Sequence, residues 1–493
     1  MRSLDSRRKD RHGPFTTRHG GWVSALIVAS ILTGVITIQG AQQVSAYCYY
    51  PPCDTTTSTR TTTTTTSEGW VAPLPLTLPR GIVAYVPVSL VNSQPVPTAK
   101  IYNQWLVVNS SEYRPFEAAG LENVEFFTSH GVVIPSWLES GNSNSSKSTV
   151  YWLRMSTSVP ASGNITVYMG FANLQTNLFK AGKAGEAPQL SPTYAQYDNG
   201  RSIFSLYDNF KPGSSNSLWA GNLTAGGSFS RSNSLKVTFG AAPGYFVTKK
   251  KFGPGTAFDS LVNSFANQTD LGWVSTSKVL HNAGNGKPDW AGAYIRSSCG
   301  RIFPDQWNSS GEANLCGGTH GYIVNGSSAF GVYTTILVSP KSSAEFINYT
   351  AGRTAPPISG NNPTFPASGG YTGQGASLSL QWARVRITPP NGVQPSVVFD
   401  RPHVIITIST GAHVSSNTQF FVPFNVTVTT GTVITWVNHD STPHTSTSDS
   451  LVWDSGAISP GGSFSRTFTV PGTFHYHCNF HSWMHGEVAV VSP

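Results

Sequence analysis

An all-β chain of several sandwiches in series is the fold class this sequence predicts, on three observations. Only 11% of the 493 residues are charged, whereas glycine and proline number 48 and 33. Long helices draw on Ala, Glu, Lys and Leu, so this composition favours short strands joined by Gly/Pro turns. Second, β-branched and aromatic residues gather in runs of strand length, bounded by Gly, Pro, Asn and Ser. Third, 39% hydrophobic content with 13 Trp can fill several cores, which argues against disorder. At ~150 residues per domain the length suggests about three domains. Coiled coil, collagen and polytopic membrane architectures are excluded.

The N-terminus accounts for much of the net charge of +8. Arg2, Arg7, Arg8, Lys9, Arg11 and Arg18 face only Asp5 and Asp10 in residues 1–46; beyond them 25 basic residues meet 21 acidic ones. An apolar run from Trp22 to Ile38 follows, then Val44-Ser45-Ala46. This is the three-part form of a secretory signal. Two outcomes stay open: cleavage after Ala46, or retention as a membrane anchor. Either way the rest of the chain is expected to be extracytoplasmic, secreted or on the cell surface, with membrane contact only through an uncleaved N-terminus. No basic stripe with interleaved aromatics occurs, so nucleic acid is not an expected partner.

Cysteine use agrees with export. Cys48 and Cys53 flank Pro51-Pro52, Cys299 and Cys316 flank a loop rich in Gly, Ser and Asn, and each pair could close a local disulfide. Cys478 is left over. Glycosylation sequons recur, among them Asn109, Asn144, Asn164 and Asn425. Residues 47–69 contain an almost pure Thr tract that reads as a stalk.

Strands are expected from Val83 to Val88, Trp105 to Val108, Val124 to Phe127, Thr149 to Met155 and Asn164 to Met169, a spacing typical of an antiparallel sandwich over residues 70–200. The segments "VEFFTSHGVVIPSWLESG", "YWLRMSTSVPASGNITVYMGFAN" and "IFSLYDNF" resemble a domain family of unknown function found on archaeal and bacterial surface proteins. In that family the following region, here residues 201–400, is commonly a concanavalin A-like jelly roll. "LSLQWARVRITPPNGVQPSVVF" resembles its terminal strands. The resemblance implies a possible glycan partner, for which Asp289-Trp290 and Arg301-Ile302-Phe303 offer an aromatic platform. The competing reading is that these aromatics are core.

Residues 401–493 carry the chemistry. His403 to the end has four acids, Asp440, Asp449, Asp454 and Glu487, against Arg466 alone. Four strand-like runs lead to Phe474-His475-Tyr476-His477-Cys478, then Cys478-x2-His481-x2-Met484, with Asn438-x5-His444 upstream. Alternation places Phe474, Tyr476 and Cys478 inward and His475 and His477 outward. A thiolate, two imidazoles and a thioether make a soft, mixed ligand set. Two His, one Cys and a long axial Met is the arrangement of a blue-copper electron-transfer centre. Zinc sites seldom use Met, and nothing supports a cysteine-protease dyad.

"WVNHDSTPHT" and "FHYHCNFHSWMHGEV" resemble the cupredoxins, the short Cys-to-Met loop being closest to the amicyanin type. The resemblance implies a Greek-key domain with one type-1 copper. His444, Cys478 and His481 would be its strong ligands, Met484 its axial ligand, and Asn438 a residue tying the two ligand loops together. His439, His475, His477 and His485 remain open between a second metal position, a proton-linked switch and plain solvated positions. Neither a trinuclear-cluster His-x-His set nor a second cupredoxin domain is present, so the chain reads as an electron carrier with a redox partner protein rather than an enzyme. The alternatives are a glycan-binding surface-architecture protein with an accessory copper site, or a copper oxidoreductase completed by a partner.

Overall fold

The computed structural model describes residues 76–214, 216–223, 226–238, 240, 244–266, 269–274, 292–298, 301–308, 311–312, 331–339, 342–347, 350–355, 365–372 and 377–493. The N-terminal segment 1–46, the stalk 47–69, all four cysteines of the expected disulfides and Asp289-Trp290 lie outside these residues, as do the side chains of Arg301-Ile302-Phe303. Nearly every described element is a strand, as the composition implied. Among the described residues no helix is long and apolar enough to cross a membrane.

The strand Ile82–Val91 organises the first layer. Its strict alternation buries Ile82, Ala84, Val86, Val88 and Leu90 on one face, the period-2 pattern of a half-buried strand. It runs antiparallel to Asn164–Ala172, which in turn pairs Val124–Phe127. A second sheet, built from Tyr102–Val108, Thr149–Met155, Ser136–Ser140 and Ala184–Glu186, covers it. Leu106, Val108, Tyr151 and Leu153 fill the space between the two.

Residues 206–387 form two further sheets, of seven and eight strands. Leu235, Phe258, Leu380 and Val385 of one sheet pack against Phe246, Phe252, Leu271 and Trp273 of the other. Where this sandwich meets the first, charge is buried rather than avoided. Asp259 accepts from Arg384 Nε at 2.7 Å and Arg386 Nε at 2.8 Å, and Arg384 Nη2 reaches Glu139 of the first sandwich at 2.7 Å. The rings of Trp137, Trp152, Phe204 and Trp382 surround the Arg384 guanidinium at 4.6–5.1 Å. Ion pairing and cation–π contact thus offset the desolvation that an isolated buried charge would suffer.

The chain then returns to the first sheet. Ser396–Phe399 pairs with Ile82–Val91, and His403–Ile408 joins the same strand through Ala84–Val404 and Tyr85–His403. His403–Ile408 lies parallel to Val433–Asn438, which is antiparallel to Ser463–Thr467. The C-terminal domain therefore shares one continuous sheet with the first sandwich. Its second sheet orders Asn425–Thr429, His481–Val491, Gly472–Cys478 and Thr447–Ser448. Ile406, Ile434 and Trp436 of one layer face Val428, Tyr476 and Val488 of the other.

Replacing Arg384 by Leu strands Asp259 and Glu139 with diminished countercharge in a dry interface. We expect a loss of about 3–5 kcal/mol, read as a lowered urea midpoint; a change under about 1 kcal/mol would show that the cluster is energetically idle.

Candidate metal centre

The hairpin of Gly472–Cys478 and His481–Val491 delivers the sulfur. Tyr476 and Cys478 are buried and Phe474 half-buried, while His475 is exposed and His477 only half-buried, the alternation expected from the sequence. On the returning strand Met484, Gly486 and Val488 face inward. Gly486 must be glycine, because a Cβ there would fall 2.3 Å from the Tyr476 hydroxyl and ring. A register shift between His477 and Cys478 sets the sulfur at the end of the ladder, where pairing gives way to the loop.

The imidazoles arrive from two loops. His444 is held in an isolated bridge with Ile458, its N–H donating to Ile458 O at 3.1 Å and its carbonyl accepting from Ile458 N–H at 2.7 Å. Cys478 Sγ then lies 3.7 Å from His444 Nδ1 and 3.6 Å from His481 Nδ1. All three donor atoms fall within 4.8 Å of one another. One ion with bonds of about 2.0–2.3 Å at angles near 110–120° would span about 3.6–3.8 Å between such donors, so the residues fit a single bound metal. Cys478, His444 and Met484 are all 0% exposed, and His481 alone of the four is partly open to solvent.

Hydrogen bonds hold the donors before any metal arrives. Asp440, itself buried, accepts from His444 Nε2 at 2.9 Å, which leaves Nδ1 of that ring free to face the sulfur. The same carboxylate meets His413 Nδ1 at 2.8 Å and accepts the backbone N–H groups of Gly411, His413 and Ser441. Burial pushes its pKa up, but these donors outweigh burial and hold it well below the usual carboxylate range. Burial likewise opposes ionisation of the Cys478 thiol. Contacts from His444, Thr445 N–H, His481 and Phe480 N–H prevail and bring it down to about 6. His444 is raised: burial works against its cation, and Cys478 and Asp440 together favour it.

Asn438 ties the loop leading to His444 to the segment at Ile458. It donates to Thr442 O at 2.8 Å and Ile458 O at 2.9 Å and accepts from Asp440 N–H at 2.8 Å. The ties between the His444 and Cys478 loops come from elsewhere. Thr445 N–H donates to Cys478 Sγ at 3.3 Å, Asn479 N–H donates to Thr445 Oγ1 at 2.8 Å, and Asn479 Nδ2 donates to Thr447 Oγ1 at 3.0 Å. Trp483 Nε1 fastens the far side of the loop to Ala412 O at 3.2 Å.

The comparisons with known proteins fall on this domain. A cupredoxin-like domain matches residues 400–490. The plastocyanin of Scenedesmus fuscus is 33% identical over 98 residues, 17% of this chain and 98% of that protein. Through this segment the chain belongs to the cupredoxin family. An uncharacterized protein of Sulfolobus islandicus rod-shaped virus 1 is 38% identical over 144 residues, 29% of this chain, which spans only 24% of that relative's length. Among solved structures, a purple cupredoxin from Nitrosopumilus maritimus is 31% identical, covering 18% of this chain and 98% of that one with a TM-score of 0.17.

In the cupredoxin domain the structure brings together His444, Cys478 and His481 and buries Met484 in the core that also holds the sulfur. Sequence reasoning passed over Asp440, Thr445, Asn479 and His413. Only Asp440 left a trace, as a carboxylate four residues before His444.

Two outcomes follow. In the metal-free protein the ultraviolet thiolate absorbance should titrate near pH 6 rather than near the ordinary ~8.5. The sign is that of a depressed acid: its stabilisation is complete above the unfolded value and disappears as pH falls through the folded one. A midpoint above about 8 would show that the imidazole contacts do not act on the sulfur. Gly486→Ala should lower stability by about 1–3 kcal/mol, as overpacking does, measured by denaturant melts against wild type.

Proposed function

We propose that the cupredoxin domain holds one copper ion in a type-1 centre and exchanges single electrons with a protein partner, on a chain exported to the cell surface. The observation that carries this reading is the convergence of Cys478 Sγ with two imidazole nitrogens at 3.6 and 3.7 Å. His444, Cys478 and His481 would be the strong ligands and Met484 the weak axial one, a soft set that suits copper better than zinc. Copper, when bound, supplies a one-electron change between Cu(I) and Cu(II).

The residues around it have definable tasks. Asp440 sets the His444 tautomer and ring plane. Thr445 N–H withdraws charge from the sulfur and so favours the reduced state. Bracing by Thr445, Asn479 and Trp483 keeps the donors in place, so little reorganisation accompanies a change in charge. His481 is the partly exposed ligand, flanked by Phe480 at 55% exposure, and gives a redox partner a short route inward. Export is supported by the charged-then-apolar pattern of residues 1–46 and by the Thr-rich stretch after it. The sequon residues Asn164 and Asn425 are both exposed, which suits a surface protein.

Copper loading should turn the protein intensely blue, and Cys478→Ser should abolish that band with the β circular-dichroism spectrum unchanged. A colourless protein holding stoichiometric Cu(II) would remove the ligand assignment. Met484→Leu should keep the colour and raise the reduction potential, because loss of the thioether weakens Cu(II) more than Cu(I). Voltammetry on the two proteins checks the direction, and an unchanged potential would place Met484 outside the centre.

A further inference from the structure

The face of the Cys478 hairpin that turns away from the buried donors has its own constellation. His477 and His485 stand directly opposite each other across the two strands, with ring centroids 6.4 Å apart. Asp449 Oδ1 lies 2.5 Å from His477 Nδ1, and Asn479 Oδ1 lies 3.0 Å from His477 Nε2. The Asn479 nitrogen donates to Thr447 Oγ1, whose own proton goes to Asp454 Oδ1, and this leaves the amide oxygen facing His477. On the next rung His475 and Glu487 approach to 3.5 Å.

This arrangement is unbalanced for a neutral imidazole, which carries one N–H. Asp449 takes that proton, so Nε2 directs a lone pair at the lone pairs of a fixed amide oxygen. A cation between the two removes the conflict. Two ligand atoms bound to one ion at about 2.1 Å stand about 3.0 Å apart at a right angle and about 3.4 Å apart at a tetrahedral one, close to the observed Nε2–Oδ1 separation of 3.0 Å. Two imidazoles on one tetrahedral ion have centroids about 5 Å apart with the same bond lengths, so the His485 ring, 6.4 Å from that of His477, would close by about 1 Å through side-chain rotation. His485 is exposed and makes no hydrogen bond among the described residues. A carboxylate on the remote nitrogen of a ligand histidine is the usual support of a metal site, and Asp449 occupies that place.

We propose that His477, Asn479 and His485 form a second, surface metal site for a borderline divalent ion of the Cu2+ or Zn2+ class, with Asp449 orienting His477. It is separate from the buried centre because His477 and Cys478 are successive residues facing opposite sides of the sheet. Nitrogen and oxygen donors without sulfur make it a site for the divalent rather than the monovalent ion.

Zn2+ is the probe, titrated by calorimetry into the full-length, copper-loaded protein while the visible spectrum is recorded. One zinc per chain should bind with the copper spectrum retained, and His485→Ala and Asp449→Asn should each weaken that binding at least tenfold. His439→Ala, which removes an exposed histidine outside the hairpin, should leave it unchanged. The readout is the difference between variant and wild type, so the result does not depend on how the buried centre is assigned. Equal zinc affinity in His485→Ala and wild type would overturn the proposal and leave His477 held by a second proton instead. Loss of the copper spectrum in step with zinc uptake would also overturn it, because the zinc would then be entering the buried centre.

Discussion

A buried carboxylate governs the C-terminal site. Asp440 gathers the ring nitrogens of His444 and His413 and three backbone N–H groups onto two oxygens. A carboxylate removed from water would ordinarily seek a proton. Here the donors are dense enough to keep it ionised, and an ionised Asp440 accepts only. Nε2 of His444 is thereby committed to Asp440 and Nδ1 is turned to Cys478, while the sulfur is drawn toward its thiolate form by the imidazoles and by the backbone N–H groups of Thr445 and Phe480. Tautomer, ring orientation and thiol acidity are consequences of one electrostatic arrangement, set before a metal is bound.

The same logic of charge held by geometry recurs where the two upstream sandwiches meet. Asp259, Arg384, Arg386 and Glu139 are nearly inaccessible to water, yet each is paired. Such clusters add little net stability compared with apolar residues of the same volume, but removing one partner from them is costly. Farther along, His403–Ile408 lies between Val433–Asn438 and Ile82–Val91, so the edge of the cupredoxin sheet is covered by another domain rather than by solvent. An open edge with unpaired N–H and C=O groups invites association. Continuity of the sheet removes that hazard and ties the cupredoxin domain to the body of the chain.

Period-2 alternation is a local property of strands, and so the all-β class, the inward set Phe474, Tyr476 and Cys478, and the outward His475 and His477 were all readable from the residues alone. The cluster of proposed ligands was readable for a related reason. Cys478, His481 and Met484 sit within seven residues, where the chain itself limits how far apart they can be, and His444 is marked by its distance from Asn438. The glycine at 486 was legible only as part of a motif. Its cause is the Tyr476 ring across the hairpin.

What the tertiary structure decided is what depends on residues far apart in sequence. Thr445 and Asn479 are 34 residues apart, and their contact ties the ligand loops where the resemblance assigned that task to Asn438. His413 and Asp440 meet across 27 residues, and Ile82–Val91 finds Ser396–Phe399 after some three hundred. Pairings of this kind leave no periodic trace, because nothing in either segment alone favours its partner until both sheets are formed. The sequence by itself determined the donor chemistry and the side of the strand on which each donor lies. Only the folded chain determined which hydrogen bonds hold those donors, because that depends on where distant segments come to rest.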